Sequence, residues 1–516
     1  MPSLFTSLLS GALLLRAASA HNARELAKDP YHQAVARDMS SGNLNPQHER
    51  IEKRYPPNRE TFIPTTTPVW MASQTPAASA VSSRSSSSSS SAAAPTATSA
   101  PSGQFATPTT RALVAATTST ATTCAGAYVA PTTIFGTGTL PKPSTFVRKQ
   151  QARSDQLVLD GAPFRIVGPN IYWLCQDENV GWPKGQYTDK GRIREALAIA
   201  VAMGANTIRA HTCGISVGQN EGSGPYNLEP TYRNFNSAAW DIRDYALYAA
   251  REYGLRVIVP FTDNYNYYHG GKYQFINFRF ASTANAGLAF YNNRVVLNAF
   301  LEYIGQILNH VNPYTGVAWK DDPTILAWET GNELGGYIQA ETWPTFFFTM
   351  SVVQYISKYD KNHLILDGTN GFWNYTTGAT APALTNRGVA MVTDHGYPRN
   401  TGILNREIQL AKDNFKNFLI GEYDWTSTQS SVSLDAYIAA LEASSTIGDM
   451  IWNVMGHDAQ CCAFVSHNDG YSLYYPNGNS ANDQLNALKV VQHWHRVRGL
   501  TPPSQLKGVA CPQPVF

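Results

Sequence analysis

The chain has 516 residues, of which 43% are hydrophobic and only 15% charged, so it can bury a large core while some other stretch carries polar, uncharged side chains. Its 39 basic and 37 acidic residues leave a formal charge of +2, which excludes a strong electrostatic pull toward nucleic acid or anionic lipid. The 11 Trp and 27 Tyr are many for so few charges; flat aromatic faces with a polar handle suit sugar rings, though most must be core.

Met1 to Ala20 is a short apolar stretch ending in Ala18-Ser19-Ala20, the small-x-small pattern of a cleaved secretory signal. No other segment is apolar enough to span a bilayer, so the expectation is a soluble protein outside the cell, free or wall-associated. Residues 21 to 54 are charged and end in the dibasic pair Lys53-Arg54, which reads as a pro-segment. Residues 55 to 148 are rich in Ser, Thr, Ala and Pro and include an unbroken run from Ser85 to Ser91. Such a stretch cannot bury enough apolar area to offset its ordering entropy, so it is expected to be a disordered, O-glycosylated linker or stalk. Its single cysteine, Cys124, excludes a disulfide-stapled binding module there.

From Lys149 to the end the pattern becomes globular. Strands are predicted at Phe164–Tyr172, Ala205–Ala210, Leu255–Phe261, Thr324–Glu329, His363–Asp367, Val389–Thr393, Phe418–Glu422 and Asp449–Val454. Helical spacing of apolar residues marks Gly191–Met203, Trp240–Tyr253, Asn293–Asn309, Trp343–Lys358, Leu434–Glu442 and Asp483–Arg498. Eight strands alternating with helices predict an α/β fold, a (β/α)8 TIM barrel, although little helical signal separates strands five and six. Six cysteines allow fifteen pairings. Cys175 and Cys213 each follow a predicted strand, the first and the second, which favours a bridge between those two loops. No CxxC or HExxH spacing occurs, and no GxGxxG follows a strand, so neither a metal nor a dinucleotide cofactor is expected.

In such a barrel the chemistry sits at the C-terminal ends of the strands. Strand four runs into Thr330-Gly331-Asn332-Glu333 and strand seven ends Gly421-Glu422, so both bring a carboxylate to the rim. Retaining glycoside cleavage needs two such carboxyls, one protonated beside the leaving oxygen and one ionised below the anomeric carbon. The sequence resembles glycoside hydrolase family 5, and within it the fungal endo-β-mannanases, over about Leu157 to Gly499. The resemblance is carried by Gly168-Pro169-Asn170-Ile171-Tyr172-Trp173, Asn206-Thr207-Ile208-Arg209, Asp263-Asn264, His269-Gly270-Gly271, Trp328-Glu329, Gly331-Asn332-Glu333, His395-Gly396-Tyr397, Gly421-Glu422-Tyr423 and Trp452.

The resemblance implies that Glu333 is the acid/base and Glu422 the nucleophile. It further implies that Asn332 binds a sugar 2-hydroxyl and that Arg209 holds Glu422 ionised. His395 and Tyr397 would line the cleft floor, Trp452 and Trp173 would be sugar platforms, and Asn264 would add a substrate contact. Leu334-Gly335 stand where those mannanases usually carry Pro-Arg, so a cleft arginine is missing. His457 and Asp458 border the cleft on a loop with Cys461 and Cys462, where a structural role is at least as expected as a substrate contact. Asn374-Tyr375-Thr376 is a glycosylation sequon on a predicted loop. The expected protein is a secreted, monomeric endo-acting β-mannanase working on polysaccharide. The alternatives are a β-glucan-active wall hydrolase or transglycosylase, and a wall-attached binding protein without turnover.

Overall fold

The computed structural model describes residues 141–180, 185–220, 223–335, 343–427, 430–459, 463–467 and 469–509. The expected signal, pro-segment and most of the Ser/Thr-rich stretch lie outside those residues, as do Cys124, Cys461, Cys462 and Cys511.

Eight parallel strands form the barrel: β1 Val167–Pro169, β2 Thr207–Arg209, β3 Arg256–Pro260, β4 Ile325–Glu329, β5 Leu364–Asp367, β6 Met391–Gly396, β7 Asn417–Tyr423 and β8 Ile447–Ile451. Each strand pairs with the next from β2 to β8, and β8 pairs with β1. The remaining seam, β1 to β2, is drawn together by a parallel bridge between Asn170 and Arg209 and by the Ile171 N–H donating to the Arg209 carbonyl at 2.9 Å. All the strands are buried on both faces apart from parts of β6, which is why they read as continuous apolar runs.

Among the described residues seven longer helices surround them: α1 Lys190–Ala202, α2 Ser237–Glu252, α3 Arg294–Asn309, α4 Phe346–Tyr359, α5 Thr401–Asp413, α6 Leu434–Glu442 and α7 Ala481–Val497. Every one starts on a side chain that accepts a first-turn N–H, in order Asp189, Asn236, Asn293, Thr345, Asn400, Ser433 and Ser480. These are the residue types whose short oxygen reaches the orphan donors of a helix start. Between β5 and β6 there is a single turn of 3-10 helix, Pro382–Thr385, in place of a longer helix, in line with the weak helical signal there. Helix α5 has no counterpart among the predicted elements.

The predicted first strand is two elements. Ala162–Phe164 closes an antiparallel sheet with Arg148–Lys149 and Leu157–Leu159, and the barrel strand begins only at Val167. Val147 and Leu157 pack into one apolar cluster with Ile166, Leu326, Leu364, Met391, Leu419 and Met450 near the strand starts. The hairpin therefore plugs the barrel end opposite the strand C-termini, and folded structure begins ahead of the expected boundary at residue 149. Cys175 and Cys213 are disulfide-bonded, joining the loops after β1 and β2. Asn374 is buried, its side-chain oxygen accepting from the Thr376 and Thr377 N–H groups at 2.9 and 3.0 Å, so the sequon asparagine folds into its own turn.

Candidate active site

The strand ends bring most of the expected residues together. Arg209 is the last residue of β2 and is buried, and its guanidinium meets six acceptors, five oxygens and His211 Nε2, which lies 3.1 Å from Nη1. Nε and Nη2 donate to the two oxygens of Glu329 at 2.7 Å each, Nη2 also to Asn332 Oδ1 at 2.8 Å, and Nη1 to Asn170 Oδ1 at 3.0 Å and Glu422 Oε1 at 2.9 Å. A planar fork of donors is what such divergent acceptors need, which a lysine could not supply. Two buried carboxylates press on one cation, and Arg209 holds its proton well above the ordinary range because their pull outweighs the cost of burial.

Glu333 stands four residues beyond β4 with φ +48°, in the left-handed region that costs a non-glycine residue about 1–3 kcal/mol. Its neighbours hold it there. The Asn332 N–H donates to the Thr262 carbonyl at 2.7 Å, the Asn264 N–H to the Asn332 carbonyl at 2.9 Å, and the Leu334 N–H to the Gly368 carbonyl at 2.9 Å. The exits of β3 and β5 thus clamp the segment from both sides. Leu334 is buried, and Gly335, at φ +80°, donates its N–H to the Tyr291 hydroxyl at 3.0 Å. That is how the chain turns where the resembling mannanases carry Pro-Arg.

On β6 a register shift between Asp394 and His395 sets His395 opposite Glu422 on β7. His395 Nδ1 lies 2.7 Å from Glu333 Oε1 and 3.6 Å from Glu422 Oε2, and the nearest oxygens of the two carboxyls fall within 4.8 Å of one another. Burial pulls His395 down, but the two carboxylates outweigh it and its pKa stands above the ordinary imidazole value. Glu422 is fully buried; burial, with the charge of Glu333 adding to it, raises its carboxyl to about 7 against the pull of His395 and Arg209. Two carboxyls this close keep one proton between them. Tyr397 donates to Glu422 Oε2 at 3.3 Å, and burial beside that carboxylate holds its phenol well above the ordinary value, so it stays a donor. The three ligand atoms of Glu333, His395 and Glu422 could in geometry surround a cation, but the Arg209 guanidinium already supplies positive charge to the same carboxylate.

The expected aromatic residues fall differently. Trp452 follows β8, stacks on Tyr172 (centroids 5.3 Å, 18°) and meets the His211 ring at 5.2 Å, while His211 Nε2 is 3.8 Å from Glu422 Oε1. Trp452 therefore lies one side chain away from the carboxylate. Trp173 is fully buried. Its indole N–H donates to the Val454 carbonyl at 2.9 Å and the Arg192 guanidinium covers its ring at 4.4 Å, so that face is occupied by protein. The Asn264 side-chain oxygen accepts from Lys272 Nζ at 2.6 Å. His457 is bonded through Nδ1 to Glu195 and through its carbonyl to Arg192 Nε, which ties that loop to α1. Glu329, Asp263 and His211 belong to the constellation and were not among the expected residues. Asp263 accepts from Asn332 Nδ2 at 3.3 Å, and burial, with Glu333 adding to it, holds its carboxyl well above the ordinary range.

A (β/α)8 barrel with two carboxyls facing each other at the ends of β4 and β7 defines the glycoside hydrolase class of barrel proteins. The family model described as GH family 5 beta-mannosidase-like matches residues 144–436, more than half of the chain, and the protein belongs to that family. Mannan endo-1,4-beta-mannosidase 1 of Oryza sativa subsp. japonica is 31% identical over 267 residues, 50% of this chain and 55% of its own. The chain spans about half the length of the curated relatives it matches. Among solved structures, the endo-1,4-beta-mannanase from Rhizomucor miehei superposes with TM-score 0.55 at 21% identity, over 69% of this chain and all of that one, and the endo-beta-1,4-mannanase from Thermotoga petrophila with 0.53 at 21%, over 64% and 77%. At that identity they share the fold.

Proposed function

We propose that the protein is a secreted, retaining endo-β-1,4-mannanase that acts without metal or cofactor. The observation that carries this reading is that an oxygen of Glu333 and an oxygen of Glu422 lie within 4.8 Å of each other at the ends of β4 and β7, an approach that fits the close carboxyl pair of direct displacement. The choice of mannan rests on the family and on the relatives' activity.

The residues divide the work by their partners. Glu422 has the Arg209 guanidinium on one oxygen and the Tyr397 hydroxyl on the other, which favours its ionised form and suits it to attack the anomeric carbon. Glu333, bonded to His395, is in this reading the acid that delivers a proton to the leaving oxygen. After the first sugar departs, Glu333 takes a proton from water, which cleaves the glycosyl-enzyme ester and regenerates both groups. Asn332, oriented by Arg209 and Asp263, would meet the 2-hydroxyl of the reacting sugar, where a hydrogen bond strengthens in the transition state. Trp452, fully buried against Tyr172 and His211, would support the floor beneath that sugar.

Reducing-sugar release from mannan, glucomannan, β-1,3-glucan, β-1,6-glucan, cellulose and xylan, beside Glu422→Ala, tests the reading. Release from mannans that vanishes in the variant supports it, release from glucans alone moves the substrate, and no release from any polymer overturns it. Anomer-resolved NMR of the first product checks the stereochemistry; the inverted anomer would refute double displacement.

A further inference from the structure

Beyond β8 the chain returns to the barrel rim through residues 463–467 and 469–475, and two side chains there, His467 and Asp469, are buried without belonging to the carboxylate machinery. They close a ring of contacts. Asn179 Nδ2 donates to the Tyr172 hydroxyl at 2.7 Å, the Tyr172 hydroxyl meets His467 Nδ1 at 2.9 Å, and His467 Nε2 meets Asp469 Oδ2 at 3.3 Å. The same Oδ2 accepts the Trp452 indole N–H at 2.6 Å and Asn453 Nδ2 at 3.3 Å, and the Trp452 ring stacks back on Tyr172. The other oxygen, Oδ1, accepts the Tyr471 N–H at 2.9 Å and the Ser472 hydroxyl at 3.0 Å. Tyr471 in turn lies edge-on against Tyr397 at 5.0 Å.

We propose that Asp469, braced by His467, is a positioning residue that sets Trp452 on one side of Glu422 and Tyr397 on the other. The proposal rests on the functional reading above. The His467 ring joins the parts, with Nδ1 at 2.9 Å from the Tyr172 hydroxyl and 3.2 Å from Asn179 Oδ1, and Nε2 at ion-pair distance, 3.3 Å, from Asp469 Oδ2. Each oxygen of Asp469 receives donors, and charge-assisted bonds of this kind are roughly twice as strong as neutral ones. The indole is thereby locked in rotation about its long axis and in height against Tyr172. An asparagine has the same outline but only one accepting end, so whichever way it turns, an amide N–H faces other donors. A ring under the reacting sugar that shifts by about 1 Å costs transition-state stabilisation on the order of 100-fold while leaving sugars bound farther along the cleft in place.

The test uses the whole chain with Asp469→Asn and His467→Gln, assayed on a linear six-sugar β-1,4-mannan oligomer. The expected result is a kcat about 10- to 100-fold lower in Asp469→Asn with KM within about threefold, and a smaller loss in the same direction for His467→Gln. The Trp452 contribution to fluorescence, taken as the difference from Trp452→Phe, should shift in Asp469→Asn because the indole loses its charged acceptor. An unchanged kcat with an unchanged Trp452 emission overturns the proposal. So does a kcat that falls only in proportion to the folded fraction seen by thermal melting. Should Asp469→Asn not fold, His467→Gln decides by the same two readouts. An unmodified protein that leaves the oligomer intact refutes the functional reading instead, and the emission shift still tests the lock.

Discussion

Replacing Arg209 with methionine separates what the guanidinium does for folding from what it does for the nucleophile. Its donors serve Glu329 and Glu422, both buried, and removing the partner of a buried charge costs about 3–5 kcal/mol. The carboxyls answer by holding their protons. Glu422 already stands at about 7 with Arg209 in place, and an adjacent cation lowers a carboxyl by roughly 1–3 units, so its loss should lift the acid limb of kcat/KM to about pH 8–10. At pH 6 the variant should be slower than the parent by about 10- to 1000-fold for that reason alone. The sign for stability follows from the same shift. A carboxyl whose folded pKa lies above its unfolded value keeps the folded state's advantage at low pH and loses it as pH rises through the folded value, so Tm of Arg209→Met should go on falling above about pH 7, where the parent's Glu422 contribution has ended, up to about pH 8–10. Adding Glu329→Gln should restore much of the Tm without returning the limb. A pH–rate profile of Arg209→Met whose acid limb stays where the parent's lies would refute the view that Arg209 holds Glu422 ionised.

Glu333→Gln should cut turnover of mannan by several orders of magnitude but spare activated aryl glycosides in the glycosylation step, since a good leaving group needs no acid; equal losses on both would deny Glu333 that role. Glu229 is buried, accepts the Arg233 N–H through one oxygen at 2.7 Å, and is raised by burial from 4.5 to about 8. It therefore draws stability down at about 1.4 kcal/mol per pH unit as pH rises from near 4.5 to near 8, and Glu229→Gln should flatten that slope in chemical denaturation; a slope unchanged would count against a buried neutral carboxyl. Serine at both Cys175 and Cys213 opens a loop with a sequence separation of 38, which loop entropy puts at about 4 kcal/mol. A loss in Tm is expected, and none would mean the surrounding packing already fixes both loops.

The strands were readable because parallel barrel strands are apolar on both faces, and all eight were found within three residues at each end. The first overran by three residues at each end, taking in Phe164 of the hairpin because no turn residue separates that strand from the barrel strand. Helix α5 was missed because only Leu404, Glu407 and Ala411 face the core, too thin a stripe to show as a period, although Asn400 carried the cap in plain view. Glu333 and Glu422 could be found because each ends an apolar run. Glu329 also ends a strand, yet its partnership with Arg209 spans 120 residues, and nothing local announces a pairing made by barrel closure. For the same reason Trp173 read as a platform. Its motif says that an aromatic stands at the rim, but the arrival of Arg192 on its face depends on how α1 packs.

The hairpin that plugs the strand starts has a practical meaning for anyone attaching this protein to something else. Among the described residues the segment ahead of the hairpin lies on the floor side, where Lys142 pairs with Glu252 at the end of α2, and the carboxyls stand at the far pole. A bead, a fusion partner or a surface joined there would leave the rim turned outward, so a long insoluble substrate could lie across it. Removing residues 141–165 to shorten such a join would instead take Val147 and Leu157 out of the barrel's lower seal and admit water to its interior.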